Sequence, residues 1–274
     1  MKKILLILTL ISSLQAFAQG EANNWYFGFG AGLQFNQATG NTTVLYDGQL
    51  STNEGCSTIS DANGNLLFYS DGITVWNRNH QVMPNGNGLF GDPSSTQSAL
   101  VVPKPDDPDI FYIFTVDIKF DNEPVDHGLN YSIVDMSLDG GFGDVTADKN
   151  INLLSTCSEK ITAVLKDCVT KSIWVIAFAS PNGDSGIYDT YHAFEVSMTG
   201  VNATSVKSTF NLNVSDKRGY LKLSPDGTKM VCANMRGNFS DPNNMDQLLL
   251  YDFDETTGSV SNQQRLFINS QNNK

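Results

Sequence analysis

Short runs of alternating apolar and polar residues fill this chain, and turn residues cut the runs every few positions. The clearest stretch is Gly55–Asn77. Within it Cys56–Ile59, Leu66–Tyr69 and Ile73–Trp76 are rich in β-branched and aromatic side chains, as strands are. Asp61–Asn65 separates the first two runs, and its Asn63-Gly64 pair tolerates the positive φ of a tight hairpin. Ser70-Asp71-Gly72 separates the second and third. The stretch predicts an antiparallel meander, and helix-forming runs are few along the whole chain.

The pattern recurs. Leu33–Gly40, Val134–Gly140, Phe194–Gly200 and Tyr251–Gly258 each place apolar residues two apart, then polar residues, then a turn glycine. Each precedes a further strand, ending near Leu45, Leu154, Leu212 and Phe267. Ahead of the last three lie hairpins: Ala99–Pro103 with Ile110–Val116, Ile161–Leu165 with Ile173–Ala179, and Tyr220–Leu223 with Met230–Ala233. Units of four antiparallel strands therefore begin near Cys56, Ser98, Lys160 and Gly219, at intervals of 42, 62 and 59 residues; loop insertions such as Lys119–His127 and Ser180–Asp189 lengthen the roughly 40–50-residue unit of a propeller blade.

The ends fit this scheme less well. Trp25–Leu33, WYFGFGAGL, reads as one strand with Trp25, Phe27 and Phe29 packed on one face and Tyr26 and the glycines on the other. Trp25–Leu50 then supplies strands three and four of a blade without strands one and two. The expectation is an all-β β-propeller spanning residues 19–274, with about four and a half blades, an incomplete ring, and further chain beyond Lys274. A two-sheet sandwich is the alternative fold.

Met1–Ala18 has the form of a signal peptide. Lys2 and Lys3 precede the apolar run Ile4–Leu14, and Ala16-Phe17-Ala18 is an A-x-A cleavage site. The apolar run is too short for the ~20 residues that span a bilayer. Its removal leaves 15 Lys and Arg against 29 Asp and Glu, moving the formal charge from −12 to −14. An acidic chain repels nucleic acid and anionic lipid, so neither is an expected partner and no membrane insertion follows cleavage. The protein is expected to be secreted or held at the cell surface.

Export permits disulfides among Cys56, Cys157, Cys168 and Cys232. An extended strand over Lys160–Lys166 would hold Cys157 and Cys168 apart by roughly 23 Å, beyond the ~7 Å limit for bridged Cα atoms. Buried thiols are the expectation. The spacing shows no zinc-type cluster.

Several stretches resemble a known family. NNWYFGFGAGLQF at Asn23–Phe35, the block Gly48–Gly91 and SSTQSALVVPKP at Ser94–Pro105 are similar to the N-terminal β-propeller of gliding motility-associated surface proteins exported by type IX secretion. The likeness continues through Gly128–Val145, Ser158–Val164 and Gly219–Met230, and it points to the wider WD-repeat and quinoprotein-like propellers. It implies a cell-surface module, followed in such proteins by immunoglobulin-like and sorting domains, and it carries over no catalytic residues or cofactor.

Candidate chemistry is sparse. Asp61-x-Asn63-x-Asn65 opens like a calcium loop, but Gly72 stands where the bidentate carboxylate belongs. Asp106, Asp107 and Asp109 could bind Ca²⁺ weakly or form a solvated tip. Ser224–Thr228 reads as a blade turn. His80, His127 and His192 lie far apart, and no nucleophile is marked beside them. Trp25, Trp76 and Trp174 read as core. The expected role is non-enzymatic binding of a protein or glycan through the loops Asn79–Gly91, Lys119–His127, Ser180–Tyr191 and Met235–Met245. Tyr188, Tyr191, Asp121 and Glu123 are the loop residues singled out. The alternative is a secreted glycan or ester hydrolase with two channel-facing carboxylates ~5–10 Å apart, drawn from acids such as Asp121, Glu123 and Asp184.

Overall fold

The computed structural model describes residues 20–118, 125–235 and 247–266. The signal-like segment Met1–Ala18, Asp121, Glu123 and nearly all of the loop Met235–Met245 lie outside the described residues. The chain is all-β, and among the described residues its strands form five antiparallel sheets in chain order.

The first sheet holds β1 (Asn24–Phe27), β2 (Ala31–Phe35) and β3 (Thr42–Leu45). The second holds β4 (Ser57–Ser60), β5 (Leu66–Ser70), β6 (Thr74–Asn77) and β7 (Val82–Asn87). In the third, β8 (Ala99–Pro103), β9 (Ile110–Val116) and β10 (Leu129–Asp135) are followed by β11 (Asp144–Val145) and β12 (Ile151–Leu154), both on β10. The fourth repeats this plan with β13 (Ile161–Leu165), β14 (Ile173–Ala179) and β15 (Tyr188–Ser197), the last pairing β16 (Gly200–Val201) and β17 (Val206–Val214). The fifth holds β18 (Gly219–Leu223), β19 (Lys229–Asn234), β20 (Gln247–Asp254) and β21 (Ser259–Leu266).

Local chemistry explains the turns. Asp61 accepts hydrogen bonds from the backbone N–H groups of Asn63 and Asn65, and Gly64 has a φ of 85°, so Asp61–Asn65 is a turn. Asp226 does the same work at Ser224–Thr228. All four recurrent turn glycines, Gly40, Gly140, Gly200 and Gly258, adopt positive φ.

The sheets stack face to face, and this decides which strands alternate. In β9, Phe111 and Ile113 pack toward the second sheet, while Tyr112, Phe114 and Val116 pack toward the fourth. In β14, Val175, Ala177 and Ala179 face the third sheet, while Trp174, Ile176 and Phe178 face the fifth. Strands covered on both faces read as unbroken apolar runs. The first strands of neighbouring sheets, β1, β4, β8, β13 and β18, lie side by side in that order.

The N-terminal unit departs from expectation. Gly28 and Gly30 take positive φ and break WYFGFGAGL into the hairpin β1–β2, with Trp25 opposite Leu33 and Tyr26 opposite Gly32. The unit therefore has three strands, and β1 occupies the first-strand position beside β4. It is not a pair of third and fourth strands. Its aromatic face is also uncovered: Trp25 is 51 % and Phe29 73 % exposed, whereas Tyr26 is buried against Tyr69. Of the three tryptophans only Trp174 is core, and Trp76 is half-buried and stacked on Tyr69. No sheet closes the array into a ring among the described residues.

Candidate functional site

Where the third, fourth and fifth sheets meet, their connecting segments leave a cleft of about 640 Å³. Ile118 and Asp126 flank it from the third sheet, and Thr156 and Glu159 come from the segment that enters the fourth. The β14–β15 loop adds Asp184, Ser185 and Gly186, with Tyr188 at the start of β15. Ser215–Arg218, leading into β18, form the remaining wall.

A buried lysine holds that wall. Lys160 is fully enclosed, and its Nζ donates to the carbonyl oxygens of Lys217 (2.9 Å) and Asp216 (3.4 Å) while lying 5.8 Å from the Phe178 ring centre. Burial pushes its pKa down, since a charge enclosed by apolar side chains is poorly solvated. The neighbouring cations are neutralised in place by carboxylates. Lys217 Nζ reaches Asp126 at 2.7 Å and Asp117 at 3.4 Å. Arg218 pairs with Asp216 through two nitrogens. Burial alone would raise the Asp216 carboxyl, but the hydrogen bonds and charge of Arg218 outweigh it and hold the group low. Asp117 is raised, because burial exceeds what Lys217 and the His127 N–H return.

Glu159 stands apart. It is fully buried at the cleft wall, and its Oε2 accepts from the backbone N–H (2.7 Å) and hydroxyl (2.6 Å) of Thr96, while Oε1 has no partner. Burial raises its pKa, and the Thr96 bonds offset this only in part. Thr96 lies in the wall of a second cavity, of about 320 Å³, lined by the first strands. There Gln97 binds the fold together. Its Oε1 accepts from the N–H groups of Leu221 (2.9 Å) and Ile161 (3.3 Å), and its Nε2 donates to the Leu221 carbonyl (3.4 Å). Glu159 thus stands between the cleft and the space beside the first strands.

The residues singled out from sequence distribute differently. Tyr188 and Tyr191 are not loop aromatics. Both belong to β15 and are buried, Tyr191 inside the core between the fourth and fifth sheets and Tyr188 at the cleft wall. Within the loop Asn79–Gly91, Val82–Asn87 form the strand β7. Asp106 pairs with Lys171 and Asp107 with Lys104, so two of the three carboxylates at this tip are engaged by lysines. Among the described residues no group of three or more His, Cys, Asp or Glu stands ready to hold a metal ion.

The histidines keep separate company. His80 lies 3.4 Å from Asp47 and bonds the Tyr69 hydroxyl, His127 stacks on Phe90 at 3.9 Å, and His192 is buried in the fourth sheet. All four cysteines are free: Cys157 and Cys232 buried, Cys56 half-buried, Cys168 exposed. The expectation of buried thiols fails at Cys168, which sits in the β13–β14 turn. Sequence reading passed over Glu159, Lys160, Lys217 and Arg218. The available signal was charge at strand entry, Glu159-Lys160 before Ile161 and Asp216-Lys217-Arg218 before Gly219, which resembles an ordinary solvated turn.

No family model matches the sequence, and no curated protein matches it. Solved structures similar in shape at low identity include the following two. One is a protein of unknown function from Desulfotomaculum acetoxidans DSM 771, with 11 % identity, a TM-score of 0.45, and coverage of 89 % of this chain and 66 % of that one. The other is a fungal alcohol oxidase of the AA5 family in complex with copper, with 13 % identity, a TM-score of 0.38, and coverage of 92 % and 62 %. The chain spans just under two thirds of the length of either.

Proposed function

We propose that the protein is an exported, non-enzymatic binding module, secreted or displayed at the cell surface, whose protein or glycan ligand seats in the cleft between the third, fourth and fifth sheets. One observation carries this reading. The cleft is a roomy polar recess built from connecting segments, and its cations are neutralised by neighbouring carboxylates rather than poised beside a nucleophile. The scaffold we propose is a β-propeller of the kind found in gliding motility-associated, type IX-secreted proteins, with a part in adhesion or gliding. Stacked four-stranded sheets with adjacent first strands support it, together with the sequence resemblance.

Hydrolysis is the second reading, and one observation favours it. Asp117 and Asp126 both reach Lys217 Nζ, which brings two carboxylates to one end of the fold. Asp117 also accepts backbone N–H bonds from His127 and Gly128. A structural ion cluster explains the same contacts.

Gly186 provides the test. A Cβ built there meets nothing within 4 Å, so Gly186→Trp adds bulk at the cleft wall with no clash at its Cβ. On glycan and peptide arrays the wild-type chain is expected to bind saturably, with Gly186→Trp reducing binding at least tenfold at unchanged Tm. Equal binding by the two proteins would remove the cleft from the function. Turnover of chromogenic glycosides or esters that Asp126→Asn abolishes would establish the second reading instead.

A further inference from the structure

Granting the cleft as the binding site, on which this rests, we propose that it recognises a primary alkylammonium group, received by Oε1 of Glu159. The cleft wall carries Asp126, Glu159, Asp184 and Asp216 against Lys217 and Arg218. Lys217 is taken by Asp126 and Asp117, and Arg218 by Asp216. No ion pair reaches Glu159 or Asp184 among the described residues, and Asp184 accepts only the Ser180 hydroxyl at 3.3 Å and no charged donor. With the buried Lys160 behind this wall and Asp117 beside Lys217, five carboxylates stand against three cations, so the net charge of the site is negative, which disfavours an anionic ligand and favours a cationic one.

Glu159 narrows the class. A fully buried carboxylate with one oxygen unbonded is costly, and a charged donor arriving at that oxygen removes the cost. Thr96 already occupies Oε2 with two bonds, so Glu159 cannot present both oxygens to a guanidinium fork. A single free oxygen suits the point charge of an ammonium. Its enclosure selects a slender chain end over a bulky ring or a quaternary ammonium. A metal ion is the poorer occupant, since no group of three or more ligating side chains is gathered here among the described residues. Such an ammonium comes from a lysine side chain of a partner peptide or from a free alkylamine.

Calorimetric titration of the full chain with Nα-acetyl-lysine methylamide, its Nε-acetylated form and 1-aminobutane tests this. The lysine compound is expected to bind, and Nε-acetylation to weaken it by about tenfold or more, as loss of a charge-assisted hydrogen bond implies. Glu159→Gln, which keeps an acceptor for Thr96, is expected to weaken it comparably with no fall in Tm. Comparable binding of 1-aminobutane identifies free amines as sufficient, and binding of the lysine compound alone identifies a peptide source. Equal binding of the acetylated form to wild type, which does not depend on any variant folding, would overturn the proposal. So would undiminished binding to folded Glu159→Gln, or binding of neither amine. Array binding that stays sensitive to Gly186→Trp in those cases would leave the cleft as the site of another ligand.

Discussion

His192 shows how a single buried side chain ties stability to pH. It is 1 % exposed, with Nε2 against the Ser180 carbonyl (2.8 Å) and Nδ1 against the Ser205 hydroxyl (2.9 Å). A carbonyl only accepts, so Nε2 carries the proton, and a neutral ring takes the Ser205 O–H on Nδ1. Burial lowers its pKa; the Ser180 bond opposes this and Lys207 adds to it. The unfolded chain then binds more protons, so stability falls as pH drops through the ordinary histidine range near 6.5 toward the lower folded value. Wild-type Tm is expected to decline between about pH 7 and 5 more steeply than that of His192→Gln, measured by thermal circular dichroism. Parallel profiles would show that another group controls the slope. Glu159 has the opposite sign, because its raised folded pKa withdraws stability as pH climbs above the ordinary carboxylate range.

At the scale of elements, the seams between sheets matter more than the ladders within them. Hairpin registers such as β13–β14 and β18–β19 follow from local turns. The first strands of different sheets meet without a shared ladder, and at β8, β13 and β18 a side chain supplies the join. Gln97 alone satisfies backbone N–H groups on both β13 and β18. Gln97→Leu keeps the bulk but orphans both donors, at about 1–3 kcal/mol for each one left buried. The expected result is a clear fall in the urea midpoint with m unchanged, whereas a change within about 0.5 kcal/mol would show that water replaces the amide.

For the whole molecule, the two outer sheets differ from the three inner ones in having one face uncovered among the described residues. On the first sheet Trp25, Phe27, Leu33, Phe35 and Val44 share that face by strand register, and Tyr46, 85 % exposed, lies beyond it. On the fifth, Tyr220, Ala233, Leu248 and Leu266 form a cross-strand row facing away from the fourth sheet. Contiguous apolar surface of this kind binds amphiphilic dyes. The wild-type chain is expected to enhance ANS fluorescence in the native state, and Trp25→Ser with Phe29→Ser to reduce it at least twofold. No reduction would locate dye binding elsewhere.

Most strands were legible from alternation and turn chemistry, because both act within a few residues. The hairpin Ile161–Leu165 with Ile173–Ala179 was read with the bounds it has. Local chemistry also misled. Alternation through WYFGFGAGL looked continuous, although Gly28 and Gly30 could equally turn the chain, and only contact of β1 with β4 selects the hairpin. Tyr188 and Tyr191 looked like loop residues because polar neighbours precede them, yet β15 starts at Tyr188 and the fifth sheet covers Tyr191.

By itself, then, the sequence determined an all-β chain of repeated antiparallel units, most of its turn positions and its acidic charge. These depend on propensity, period and composition, which are properties of neighbours along the chain. The tertiary structure decided which faces are covered, which carboxylates meet Lys217, and that Glu159 is buried with an oxygen to spare. Those depend on approach between residues far apart, such as Thr96 with Glu159 and Gln97 with Leu221. A charge at a strand entrance is a solvated turn or a buried site according to what the other sheets bring against it.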